Sequence, residues 1–189
     1  MSNEIVEGLS WDDDLGEIDE QVSEESIKAA EDMGKVPVGK YLCRCADSIP
    51  KQKDFANYSC IAAGLRLEII KALEKNGQPV KDEDSENYAG RSIFDDVSLY
   101  SSAEKDGMRN RRIMIASRFG LINSSADKIT KSMWKTDIIG KLVVVEYIEE
   151  GYIPKSSTVE RKIRKVAFDG YTSAEGIDTA SLTPDIDDI

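Results

Sequence analysis

The sequence predicts a mainly β domain with a small helical content, and three observations predict it. Five segments between Val36 and Tyr171 carry β-branched and aromatic residues in roughly two-faced alternation. One amphipathic helical stretch separates the third segment from the fourth, and the flanks on either side are too acidic and too poor in core formers to extend the domain.

The first strand is expected over Val36–Asp47, VPVGKYLCRCAD. The second, Tyr58–Ile70, puts Ile61, Ala63, Leu65, Leu67 and Ile69 on one face and Tyr58, Cys60, Ala62, Gly64, Arg66 and Glu68 on the other. Ala63-Gly64 permits the strong bend that a small barrel needs. Lys71–Ala89 reads as a long polar loop or hairpin tip, and Gly90–Ser101 as the third strand, with Ile93, Val97 and Leu99 inward and Phe94 and Tyr100 on the opposite side. A helix follows over Glu104–Ile122, its apolar face Met108, Ile115, Phe119 and Ile122, with Gly120 ending the main run. A second short helix is expected near Ala126–Trp134, then strands over Gly140–Ile153 and Thr158–Tyr171. This is the element order of an OB-fold, a five-stranded Greek-key barrel with its helix between strands three and four. Another small β-barrel or α+β domain is the alternative. The domain is expected over 34–171, between an acidic arm (1–33) and an acidic tail (172–189), both read as flexible, with a short helix at Glu24–Met33 capped by Ser23.

Charge is distributed unevenly. The 189 residues hold 36 acids against 25 bases, a net charge of −11. Residues 1–33 carry −11 and residues 169–189 carry −6, so the body between them is +6. With no histidine in the chain, Ser-His-Asp and Cys-His activation and His-ligated zinc are excluded, which argues against an enzyme. No apolar run is long enough to span a bilayer, and the N-terminus lacks the basic start and apolar stretch of a signal peptide, so a cytoplasmic protein with reduced thiols is expected.

Several motifs fail on context. Gly34–Lys40 matches GxxxxGK, but Tyr41 stands where a P-loop has Ser or Thr, and a strand follows instead of a helix. Cys43, Cys45 and Cys60 are too few for a zinc site and read as buried thiols, although Cys60 could approach the other two. Asp95 and Asp96 fall on opposite faces of a strand, while the acidic runs at 12–14 and 82–84 lie in polar sequence. No metal and no cofactor are expected.

What remains is a set of bases interleaved with aromatics. Arg161, Lys162, Arg164 and Lys165 crowd the last strand, and Lys141, Tyr147, Tyr152 and Lys155 belong to the strand and loop before it. Lys40, Arg44, Tyr58, Arg66, Arg91, Phe94 and Tyr100 come from the first three strands. Together they supply the two parts of a single-strand groove, cations that track phosphates and rings on which bases stack. Arg109, Arg111, Arg112 and Arg118 form a second patch or a solvated helix face.

The chain ends in Asp185, Ile186, Asp187, Asp188 and Ile189. This tip resembles the acidic C-terminal tip of bacterial and bacteriophage single-stranded DNA-binding proteins, with Ile189 where that family usually has phenylalanine. The body is similar to the OB-fold domains of the phage members, from VPVGKYLCRCAD through GRSIFDDVSL and the following helix to IIGKLVVVEY. The resemblance implies sequence-independent binding of single-stranded DNA in replication, recombination or repair. It also implies recruitment of replication or recombination proteins by the tip, with a homo-oligomer possible. The acidic N-terminal arm departs from the bacterial pattern. A second hypothesis is an interaction module whose acidic arms mimic DNA and occupy a host nucleic-acid enzyme, docking through Leu9–Leu15. A third, an OB-type nuclease or nucleotidyl-transfer enzyme, lacks a metal or lysine-nucleophile constellation.

Overall fold

A computed structural model describes residues 23–24, 35–55, 57–103, 106–124, 127–154 and 158–177. The chain divides into two compact units, Met1–Lys35 and Val36–Ile189, and the elements below belong to the second. These are β1 (Gly39–Phe55), β2 (Tyr58–Lys75), β3 (Gln78–Pro79), β4 (Ser92–Ser101), α1 (Asp106–Arg118), β5 (Leu142–Tyr152) and β6 (Arg161–Ser173), with one π-helical turn at Met133–Asp137. The protein is mainly β, with six strands where five are expected: the two-residue β3 is added after the second predicted strand, and α1 precedes the last two. The helix expected over Glu24–Met33 lies outside the described residues apart from Glu24, as does the C-terminal tip.

All strand pairs are antiparallel, in one open sheet ordered β3-β2-β1-β5-β6, with β4 also on β2. β1 and β2 form a long hairpin from Gly39↔Lys75 to Phe55↔Tyr58, and β1 uses its other edge at Gly39–Arg44 to pair with β5. Bulges at Lys40/Tyr41, Leu42/Cys43 and Cys45/Asp47 interrupt the register, and each adds local twist and bend. The core lies on one face, where Cys43, Cys45, Leu65, Leu67, Ile69, Ile93 and Val97 meet Val143, Val145 and Val166. Ile115, Ala116 and Phe119 at the end of α1, with Trp134 and Ile138, join the same cluster.

Gly120 ends the helical segment as expected. It takes φ +66°, where a side chain would be strained, while its N–H donates to the Ser117 carbonyl and that of Leu121 to the Ala116 carbonyl. Gly64 leaves room for a neighbouring side chain. The stem of Lys51 crosses it, and a Cβ there would sit 2.4 Å from Lys51 Cε.

The structure departs from the sequence reading at two strand ends, at the second helix and at Cys60. β1 continues past Asp47 to Phe55, because Ser48–Asp54 pairs residue for residue with the strongly apolar β2 despite Pro50 and its charges. β2 runs to Lys75 and turns back at Asn76-Gly77, both at positive φ, so the expected loop opens with a tight Asn-Gly hairpin into β3. The second helix is only the π-helical turn. Cys60 stands opposite Lys53, away from Cys43 and Cys45, and its thiol lies 3.0 Å from the Ser98 hydroxyl.

No backbone ladder joins β4 to β6 among the described residues. Side chains bridge them instead. The Tyr171 hydroxyl donates to Asp95 Oδ2 at 2.6 Å, and Arg111 of α1 reaches the same oxygen at 2.6 Å. Arg111 and Arg112 also donate to the carbonyls of Asp96, Ser98 and Leu99 along β4. These two arginines are therefore committed to the fold and are not members of a helix-face patch.

Candidate nucleic-acid interface

Side chains alternate across a strand, so the face of β1, β2 and β4 opposite the core follows from the register. Asp47, Arg66 and Phe94 form one row across the three strands, and Ile49, Gly64 and Asp96 the next. Lys51 and Lys53 continue along β1. Phe94 is 64% exposed, which for a phenylalanine on a sheet face is a large uncovered ring. Arg66 is exposed beside it and forms no ion pair among the described residues.

Asp96 collects both lysines, Lys51 Nζ at 2.9 Å and Lys53 Nζ at 2.5 Å. Burial alone raises its carboxyl pKa, but the hydrogen bonds from Lys53 and Lys51 outweigh that and hold it below the usual range. Asp95 turns to the other side, as strand alternation predicts. Lys51 and Lys53 lie beyond the strand predicted to end at Asp47, and no local pattern marks them, because Ser48–Asp54 has no apolar face of its own.

Arg44 shares the outer face but is tied to Glu68 at 2.9 Å, and Lys40, towards the strand start, to Glu74 at 3.0 Å. The Glu74 contact raises the Lys40 pKa. Arg91 lies over the Tyr88 ring, 5.2 Å from its centroid. Tyr58 is half-buried beside the β1–β2 turn, Lys141 is exposed just before β5, and Tyr147 packs against the core, where burial raises its hydroxyl pKa.

The β5–β6 hairpin splits its bases between two faces. Tyr152↔Arg161 and Ile148↔Lys165 share one, and Glu149↔Arg164 and Gly151↔Lys162 the other. Glu149 binds Lys162 at 3.0 Å and Arg164 at 3.4 Å, Lys165 pairs with Glu150, and a guanidinium nitrogen of Arg164 also donates to the Val36 carbonyl. The Lys162 and Arg164 contacts lower the Glu149 pKa. Lys155 and Asp185–Ile189 lie outside the described residues.

Tyr100 departs from its expected side. A bulge at Ile61/Ala62 sets it opposite Ile61, so it stands at a groove on the core side and not beside Phe94. The expected residues therefore divide into an outer-face group around Arg66 and Phe94, a hairpin group around Tyr152 and Arg161, and Tyr100 apart from both. No family model matches the chain, and no curated protein is similar to it in sequence. No helix among the described residues is long and apolar enough to cross a membrane.

Proposed function

We propose that this chain binds single-stranded DNA without sequence preference through an OB-type body, as a non-enzymatic protein of replication, recombination or repair. The observation that carries the reading is the outer face of β1, β2 and β4, where an uncovered Phe94 ring stands in one row with the exposed Arg66 guanidinium, which has no ion pair among the described residues, and Lys51 and Lys53 lie along the same face. A ring with nearby cations is what a base and its phosphate require. The pairing pattern supports the barrel type: the first long strand pairs with the second and fourth, the second with the third, and the fourth with the fifth. The acidic tip of the tail would recruit partner proteins in the host cytoplasm of a phage-encoded system, as the sequence resemblance implies.

Titration with single- and double-stranded oligonucleotides at two salt concentrations tests this. A preference for the single strand is expected, weakening with salt at a slope near −0.7 per phosphate contact. Absence of any salt-sensitive affinity, together with binding of the intact chain to a basic protein, would favour the DNA-mimic module instead.

A further inference from the structure

On the core side of the sheet, the outer half of the β1–β2 hairpin, β4, α1 and the segment leading to the π-helical turn enclose a groove of about 860 Å³. That is within the range of small-ligand sites. Its walls are apolar, formed by Ile61, Leu99, Ile113, Ile122 and Ile129, and Tyr100 stands over it with 62% of its surface exposed. Trp134 is 3% exposed and lines the groove, and its buried indole Nε1–H has no hydrogen-bond partner among the described residues. A buried donor left unpaired is rare and costly, and it calls for an acceptor.

The rim carries Arg109, Lys131 and Lys135, none of them ion-paired among the described residues. Asp127, its one acid among the described residues, accepts the backbone N–H groups of Asn123 and Ser124 at 2.6 and 2.9 Å. An occupant must therefore have an apolar body, an acceptor that reaches inward and negative charge at the edge.

We infer that this groove takes an unstacked nucleobase of the bound single strand, its acceptor edge towards Trp134 Nε1, its face against Tyr100 and its phosphates on Arg109, Lys131 and Lys135. A purely aliphatic occupant would leave the indole donor unpaired and the rim charge uncompensated. The inference rests on the proposed single-strand binding, and it adds a second contact on the opposite side of the sheet from Phe94.

The test uses the full chain carrying Trp11→Phe, so that emission reports Trp134 alone, titrated with oligo(dT) and with an oligomer of abasic residues of equal length. Oligo(dT) is expected to change Trp134 emission and the abasic oligomer to leave it unchanged. Tyr100→Ala, at an exposed position, is expected to weaken oligo(dT) binding about five- to a hundred-fold. Trp134→Phe removes the donor together with part of a buried ring, so it is read by anisotropy of a labelled oligo(dT) beside a melting curve, and affinity is expected to fall several-fold while the protein stays folded. If oligo(dT) binds, Phe94→Ala weakens it, and Tyr100→Ala and Trp134→Phe bind like the parent, the groove inference is overturned while the proposed function stands. If no form of the protein binds any oligonucleotide, both are overturned.

Discussion

Phe94→Ala tests the proposed binding apart from the fold. Its ring is largely in solvent, so Phe94→Ala is expected to leave thermal stability within about 0.5 kcal/mol of the parent. Oligonucleotide affinity should fall by about 1–3 kcal/mol, read from parallel melting and titration. Asp96 acts in the opposite sense, because it occupies the two lysines that the outer face would offer to phosphates. Asp96→Asn is expected to raise affinity and steepen the salt slope by about 0.7 for each lysine released to a phosphate, measured from binding at several salt concentrations. The folded-state pKa of Asp96 lies below its ordinary value. Its contribution to stability is therefore present above the ordinary carboxylate range, about pH 4, and is lost as pH falls through the lower folded value. Melting temperature against pH should consequently fall less steeply on the acid side in Asp96→Asn than in the parent.

Among the elements, β2 and the end of α1 were legible in the sequence, and the second half of β1 was not. Ala63, Leu65, Leu67 and Ile69 alternate without interruption, and the core receives all four. Gly120 announced its turn because only glycine takes that backbone at little cost, and Gly120→Ala should lower stability by about 1–2 kcal/mol in urea denaturation. Ser48–Asp54 has no apolar face of its own to bury. It is a strand because a longer partner holds it, and local pattern carries no trace of a partner's length. The contact between Asp95, Tyr171 and Arg111 was equally hidden, since it joins residues 76 apart in sequence. With Arg111 and Asp95 only 11% and 14% exposed, Asp95→Ala strands a guanidinium and should cost about 3 kcal/mol. Tyr171→Phe removes one hydrogen bond to a charged group and should cost about 1.5–3 kcal/mol, by the same measurement.

For the whole chain, the net −11 is the balance of a +6 body against acidic flanks, and many of the body's bases are themselves occupied by neighbouring carboxylates. Unpaired cations are fewer than the sequence count suggests. Which of them pair depends on strand register, and composition does not record it. Deletion of residues 178–189 removes Asp178, Asp185, Asp187 and Asp188. It is expected to leave oligonucleotide affinity equal or higher, with the largest gain at low ionic strength, and to abolish capture of partner proteins. The junction of β4 and β6 has a further consequence. Because a phenol, a carboxylate and a guanidinium hold it where a ladder would otherwise run, parting the two strands exposes no paired main-chain amides. The body is therefore expected to part along this seam before it unfolds, and in deuterium exchange the amides bordering it should trade their protons ahead of those at Gly39–Arg44, which neighbours hold on both edges.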